Sequence, residues 1–358
     1  MNRPTENPQR SAASTLLWPF TVPYGIAARL KNCAYDRRWL QSRKLSWPVI
    51  SVGNLSVGGS GKTPLVLLLM DLLSQRGWNV DVLSRGYGRS SKTVAPVDAE
   101  GTPEQFGDEP LLMARHGLSV YVGASRYDPG QLAENEAGAD SLDSHRLHIL
   151  DDGFQHRKLA RTVDIVLLQR ADLQEQLLPA GRLREPLSGL RRADICILRA
   201  EDAELSGAVL QLMGRHDQPS EPARVWIVER RTTLPADAAS IHNALAFCAI
   251  GDATGFFDSL RHAGLTLQTT IAFRDHHVYS LDDISRLKAA ASRSGADCFV
   301  TTEKDGVRLP RELREEMEKD GRLVIAGLEL RLHQEKRCID GLESLLQERL
   351  QLHPRNVR

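Results

Sequence analysis

A chain of 358 residues, 41% hydrophobic and 26% charged, carries enough apolar material for two domains with their own cores, which excludes a disordered or fibrous protein. Its 46 lysines and arginines balance 46 aspartates and glutamates, so no bulk positive field exists to hold nucleic acid, and 5% aromatic content offers little for stacking bases. Cys33, Cys196, Cys248, Cys298 and Cys338 stand far apart without a CxxC pair, which favours reduced core thiols of a cytosolic protein over a disulfide framework or a metal site.

The first element is the segment from Thr15 to Leu40. No window of the chain reaches the roughly 18 uninterrupted apolar residues of a membrane span. Pro19 and Pro23 break the apolar part here, no small-residue cleavage site follows, and Arg29, Lys31, Arg37 and Arg38 come directly afterwards. Trp18, Phe20, Tyr24, Ile26, Leu30 and Trp39 beside those cations suit a segment lying in the headgroup region of an anionic bilayer. A helix packed on its own domain, with the cations solvated, fits the same residues equally well.

Short runs rich in valine, isoleucine and leucine then alternate with longer helical stretches, the pattern of parallel sheets covered by helices on both faces. Strands are expected at Val49 to Val52, Val80 to Ser84, Leu147 to Leu150, Ile165 to Leu168, Ile195 to Leu198 and Val225 to Val228. A second set is expected at Ala246 to Ile250, Leu265 to Phe273, Cys298 to Thr301 and Leu323 to Ala326. Between the sets, Glu229 to Ser240 is polar and without periodicity, so residues 41–230 and 231–358 read as two α/β domains meeting at a cleft, behind an N-terminal segment 1–40. In the second half, Ser280 and Asp283 form a capping box and Gly295 a stop, which predicts a helix between them.

After the strand at Val49, Ser56 to Thr63 reads S-x-x-x-x-G-K-T, one residue from the phosphate-loop pattern, with Ser56 in place of the first glycine. Gly58, Gly59 and Gly61 allow the backbone to turn its N–H groups inward, and the helix from about Gly61 to Arg76 offers its positive end to an anion. Lys62 would bridge the β and γ phosphates and the Thr63 hydroxyl would coordinate magnesium. Such a loop calls for a carboxylate at the end of a neighbouring strand, and Asp151 and Asp152 follow Leu150 there; a plain turn before Gly153 is the competing reading. Asp108 in "FGDEP" and Asp275 with His276 and His277 in "FRDHH" are candidates for a base and its partner, although taken alone each reads first as a helix-capping acid or a solvated histidine. Arg182, Arg184, Arg191 and Arg192 around Glu185 could grip phosphate or form a salt-bridged face, with Glu185 a further candidate for the metal.

The segments "GNLSVGGSGKTP", "SRGYGR", "GDEP", "DDGFQHR", "GRLREP", "DHH" and "TEKD" resemble, in this order, the tetraacyldisaccharide 4'-kinases of lipid A biosynthesis. The resemblance implies a fold of two α/β/α sandwich domains with mostly parallel sheets: a P-loop NTPase-like domain, a smaller C-terminal α/β domain and an N-terminal membrane-associating helix. It implies an enzyme at the cytoplasmic face of the bacterial inner membrane that moves the γ phosphate of ATP, with Mg2+, to the 4'-hydroxyl of a tetraacylated glucosamine disaccharide 1-phosphate. Lys62 and Thr63 would be the phosphate-loop pair, with Ser56, Val57, Gly58, Gly59, Ser60 and Gly61 around the nucleotide. Asp151, Asp152 and Glu185 would belong to the magnesium site, and Asp108 would be the base, paired with His276. Arg85, Tyr87 and Arg126 would lie near the phosphates or the acceptor. A lipid with four acyl chains does not leave the bilayer cheaply, at about 0.8 kcal/mol per CH₂, so an anionic membrane surface becomes the expected partner of the N-terminal segment.

Overall fold

The computed structural model describes residues 12–59, 61–138, 145–215, 223–236, 241 and 243–352. The strands are β1 Val49–Asn54, β2 Asn79–Ser84, β3 Ala95–Pro96, β4 Ser119–Val122, β5 Arg146–Asp151, β6 Val163–Leu167, β7 Ile195–Arg199, β8 Val225–Thr233, β9 Ala244–Cys248, β10 Leu267–Ala272, β11 Cys298–Thr302 and β12 Arg322–Leu332. The principal helices are α1 Ala12–Asp36, α2 Lys62–Gln75, α3 Pro103–Phe106, α4 Asp108–Arg115, α5 Tyr127–Glu136, α6 Ser206–Met213, α7 Ala253–His262, α8 Leu281–Ser294, α9 Glu303–Arg308, α10 Arg311–Glu318 and α11 Glu335–Leu352.

The strands form one twelve-stranded sheet in the order β10-β9-β11-β12-β8-β7-β6-β1-β5-β2-β4-β3. All neighbours run parallel except β3 with β4 and β12 with β8. Every residue of β1, β6, β9 and β11 is buried, the mark of strands covered on both faces, whereas β10 at the edge alternates half-buried with exposed positions. Each strand expected from the sequence overlaps an observed one. The short β3 and β4 were not anticipated, since two and four residues are too few to establish an alternation.

The polar stretch after Val228 is not the loop its composition suggests. Glu229 to Thr233 continues β8 and pairs antiparallel with Gly327 to Arg331. Ladder hydrogen bonds, which carry no sequence signature, hold this part of the strand in place of apolar burial, so position 230/231 falls inside a strand. The chain then returns: Cys338, Ile339, Leu342, Leu345 and Leu346 of α11 are buried in one cluster with Leu69 and Leu73 of α2 and Ile165 of β6. A separate core lies under α8 and α10, where Phe247, Tyr279, Ile284, Leu287, Phe299 and Met317 meet. Helix α8 is capped as expected, with Ser280 Oγ accepting from the Asp283 N–H and Gly295 at φ 71°. Among the cysteines, Cys196, Cys248, Cys298 and Cys338 are buried, Cys33 is half-buried, and all are free thiols.

Helix α1 runs through Pro19 and Pro23, the residues that break the apolar run of this segment. Each proline removes one i to i−4 bond without ending the helix. The helix docks through polar groups: Tyr24 donates to the Arg184 carbonyl at 2.8 Å, Asn32 Nδ2 to Glu185 Oε2 at 3.0 Å, and Arg157 pairs with Asp36 at 2.7 Å. Tyr24 therefore faces the protein, whereas Trp18, Val22, Ile26 and Leu30, four residues apart, are exposed, as are Phe20, Trp39 and Leu40.

Candidate active site

The site begins where β1 ends. Gly61 at φ 90° and Gly58 at φ 111° hold the loop between Asn54 and α2 in backbone conformations that favour glycine. A Cβ on Gly58 would also lie 2.3 Å from Arg182 Nη2. Ser56 needs no such freedom, because its backbone pairs with Leu183 in an antiparallel bridge, and this accounts for the departure from a glycine there. The segment around Leu183 straps the loop: Val57 N donates to the Arg182 carbonyl at 2.8 Å, Arg184 N to the Leu55 carbonyl at 2.7 Å, and Arg182 Nη2 to the Val57 carbonyl at 2.8 Å. Ser60 lies outside the described residues.

Lys62 opens α2 with its Nζ donating to Asn54 Oδ1 at 3.3 Å and 3.4 Å from Asp152 Oδ1. Thr63 beside it is buried. Parallel pairing sets Asp151 level with Val52, so the two aspartates emerge next to the loop. Asp152 adopts φ 48°, a left-handed conformation, and its carboxylate accepts both contacts of Arg184 Nη1 at 2.8 and 2.9 Å. Burial raises its pKa, but Lys62 and Arg184 outweigh it and hold the group below the usual range. Asp151 differs. Burial, and then repulsion from Glu109 and Asp152, pushes it up to about 6. Ser84 Oγ donates to its Oδ2 at 3.0 Å, while its Oδ1 is buried without a hydrogen-bond partner. Arg126, buried nearby, has its guanidinium pKa lowered by burial despite attraction to both aspartates.

A second group faces this one. Asp108 begins α4, its Oδ2 2.5 Å from Arg308 Nε and 3.1 Å from His276 Nδ1. Burial raises the Asp108 pKa, yet His276 and Arg308 together bring it below the ordinary value. His276 sits at φ 60° and packs against Tyr87 with ring centroids 5.8 Å apart. Glu109 pairs with Lys304, and although burial opposes ionisation, Lys304 and Lys62 keep its pKa low. Val57, Gly58, Gly59, Gly61, Lys62, Thr63, Arg85, Tyr87, Asp108, Arg126, Asp151, Asp152, Arg184, Asp275 and His276 line one cleft of about 480 Å³ between the two halves of the sheet.

Two expectations are corrected. Glu185 does not line the cleft: its oxygens accept from Asn32, Gln155 and Arg192 at 3.0, 2.9 and 2.8 Å, so it secures α1 to the strap. The arginine cluster divides, with Arg184 in the cleft, Arg182 on the loop, Arg192 on Glu185 and Arg191 exposed. His277 caps α8 through Asp283 at 3.0 Å and stacks on Phe273, leaving His276 alone for chemistry. Sequence reasoning passed over Glu109, Lys304 and Arg308. Their only signal was that Glu109 and Lys304 lie within "GDEP" and "TEKD" and Arg308 just after, since the partners lie some 200 positions apart in the chain.

No group of three or more His, Cys, Asp or Glu side chains among the described residues is arranged to cage a metal. Mg2+ is bound differently, through one or two carboxylates plus substrate phosphates and water. The orphaned Oδ1 of Asp151, with Asp152 and the Thr63 hydroxyl in the same cleft, fits that hard-oxygen donor set.

A family model described as tetraacyldisaccharide-1-P 4'-kinase matches residues 13–347. The chain is 44% identical to the tetraacyldisaccharide 4'-kinase of Koribacter versatilis, over 81% of this chain and 88% of that protein. It is 39% identical to that of Pelobacter propionicus, over 95% and 94%. The crystal structure of the "apo" form of LpxK from Aquifex aeolicus in complex with ATP superposes with a TM-score of 0.71 at 32% identity, covering 93% of this chain and 99% of that one.

Proposed function

The chain belongs to the tetraacyldisaccharide-1-P 4'-kinase family, and from that premise we propose a division of labour among the cleft residues. The enzyme transfers the γ phosphate of ATP to the 4'-hydroxyl of a tetraacylated glucosamine disaccharide 1-phosphate, giving the 1,4'-bisphosphorylated lipid A precursor. In this reading the N–H groups of Val57, Gly58, Gly59 and Gly61 and the start of α2 cradle the triphosphate, and Lys62 bridges its β and γ phosphates. Arg126, Arg184 and Arg85 add positive charge where the transferred group passes. Asp151, Asp152 and Thr63 would hold Mg2+, which neutralises charge on the β and γ oxygens when bound.

Asp108 accepts the proton of the acceptor hydroxyl as the oxygen attacks phosphorus in line, with His276 orienting the carboxylate. Held ionised by its two partners, Asp108 is in the right protonation state at neutral pH. Tyr87, exposed at the mouth against His276, is placed to pack on the sugar. The observation carrying this reading is that a phosphate loop from one half of the sheet and an Asp–His pair drawn from both halves share one cleft. The chain would act as two lobes, residues 41–230 and 231–358, joined through β8 and with α11 returned to the first, behind a docking segment 1–40.

The site of action follows from the substrate. No helix among the described residues is long and apolar enough to cross a membrane. Helix α1 nevertheless turns its polar side to the protein and its Trp18, Val22, Ile26 and Leu30 stripe outward, opposite to a helix seeking a core. That stripe, with Phe20 and Trp39, suits insertion into the headgroup boundary at the cytoplasmic face of the inner membrane. Incubation with γ-labelled ATP, Mg2+ and the tetraacylated disaccharide 1-phosphate in detergent micelles tests the activity. Label in the lipid is expected, and folded protein that leaves the lipid unlabelled would overturn the assignment.

A further inference from the structure

Arg308 belongs to no motif singled out in the sequence, yet it touches both members of the Asp–His pair. Its Nε donates to Asp108 Oδ2 at 2.5 Å and its Nη2 lies 3.0 Å from His276 Nδ1. The guanidinium is itself fixed from behind. Nη1 donates to the Ala249 carbonyl at 2.7 Å and stands 3.3 Å from Asp305 Oδ1. Asp305, fully buried, is held by the Ala249 N–H at 3.1 and 3.2 Å, the Tyr279 hydroxyl at 3.0 Å and the Thr302 hydroxyl at 2.6 Å. The same Ala249 carbonyl accepts the backbone N–H of His276 at 3.3 Å, so the backbone of one residue registers Arg308, Asp305 and the strained His276 against each other.

We infer that Arg308 is a positioning residue for phosphoryl transfer, fixing which carboxylate oxygen of Asp108 and which imidazole nitrogen of His276 face the acceptor hydroxyl. The inference rests on the functional reading above. A guanidinium only donates, and so does a protonated Nδ1. Arg308 Nε–H donates to Oδ2, and His276 Nδ1, 3.1 Å from the same oxygen and 3.0 Å from Arg308 Nη2, either donates to Oδ2 or accepts from the arginine; in both cases Oδ2 is the engaged oxygen, and Oδ1 makes no described hydrogen bond and is left to receive the proton. Anchored at Asp305 and Ala249, the arginine also keeps a cation against Asp108 whether or not substrate is bound. The other charged groups around Asp108 are its neighbour Glu109 with Lys304, Asp275, and Arg85, which line the same cleft. None of these makes a described contact with its carboxylate. The terminal aspartate of "TEKD", which otherwise has no role, becomes the foundation of this device.

The test compares wild type, R308K, R308Q, D108A and D108A/R308K for kcat, KM for ATP and pH–rate profile. R308Q should lower kcat roughly 100-fold, the scale of a displaced reacting group, with KM for ATP nearly unchanged. Its acid limb of kcat/KM should move up by about one pH unit, because Asp108 loses a contacting cation. R308K retains the charge but not the fork, so it should keep the wild-type acid limb and recover only part of kcat. In the D108A background R308K should slow the reaction by no more than about twofold, since its effect passes through Asp108. Wild-type kcat and pH profile in both arginine variants would overturn the inference, and so would an equal loss in the presence and absence of Asp108. If R308Q does not fold, R308K and the double variant decide. Wild-type enzyme that labels no lipid would instead remove the functional reading and this inference with it.

Discussion

Asp151 is poised at a cost to the metal-free fold. Buried and beside two other acids, it titrates near 6 in the folded chain, against 3.8 as the unperturbed value. Between those two values the native state binds more protons than the unfolded state, so metal-free stability falls as the pH rises through this window. The difference is worth on the order of 3 kcal/mol by pH 7, at about 1.36 kcal/mol per unit. Asp151→Asn removes the charge and keeps an oxygen for the Ser84 hydroxyl. In EDTA at pH 7 the variant should therefore melt higher than wild type, by about 4 °C at roughly 2.1 cal/mol/K per residue over 358 residues. Thermal unfolding of both proteins from pH 7.5 downward, at intervals of about half a unit, isolates the site, because the gap between them should close as Asp151 takes up its proton. The same substitution should lower phosphate transfer by about 100-fold or more, since it removes the charge intended for the metal. A variant no more stable than wild type without metal, or a gap independent of pH, would refute the reasoning.

Asp108→Ala should reduce kcat by roughly 100-fold or more while ATP affinity stays nearly intact, and parallel losses in both would move Asp108 from base to phosphate or metal handling. Lys62→Ala should weaken ATP binding as well as turnover, measured by equilibrium titration and initial rates, because Lys62 meets the phosphates in ground and transition states alike. Ile26→Asp with Leu30→Asp should weaken sedimentation with anionic vesicles by about 10-fold or more, with little change in micelle kcat; unchanged sedimentation would remove α1 as the docking element. Gly58→Ala should raise KM for ATP, since a side chain there meets both the positive φ of 111° and Arg182 at 2.3 Å; wild-type kinetics would show that the strap yields freely.

The N-terminal segment shows how far a linear reading reaches. Its aromatic and cationic residues were legible, but two rival placements were equally good, because periodicity says which residues share a face and not which way that face turns. In the structure Tyr24 and Asn32 bind Arg184 and Glu185 of the strap and Asp36 binds Arg157, and the Trp18, Val22, Ile26 and Leu30 stripe is left exposed. Glu185 illustrates the opposite failure. Its neighbours in sequence suggested the metal, but it lies outside the cleft lining and its oxygens accept from three N–H donors of Asn32, Gln155 and Arg192.

By itself the sequence determined what local chemistry determines: the alternation of strands and helices, a glycine loop whose backbone turns toward an anion, and two aspartates ending a strand beside it. These follow from backbone sterics and side-chain period within a few residues, where one-dimensional order and three-dimensional proximity coincide. Only tertiary structure decided that β8 and β12 join the halves into one sheet, that α11 closes the first core, and that Asp108, His276 and Arg308 meet. Those contacts join segments as far apart as α2 and α11, where Arg76 and Glu343 are 267 positions apart, and ladder pairing and burial, which bring such distant segments together, depend on the packed whole and leave no periodic trace along the chain.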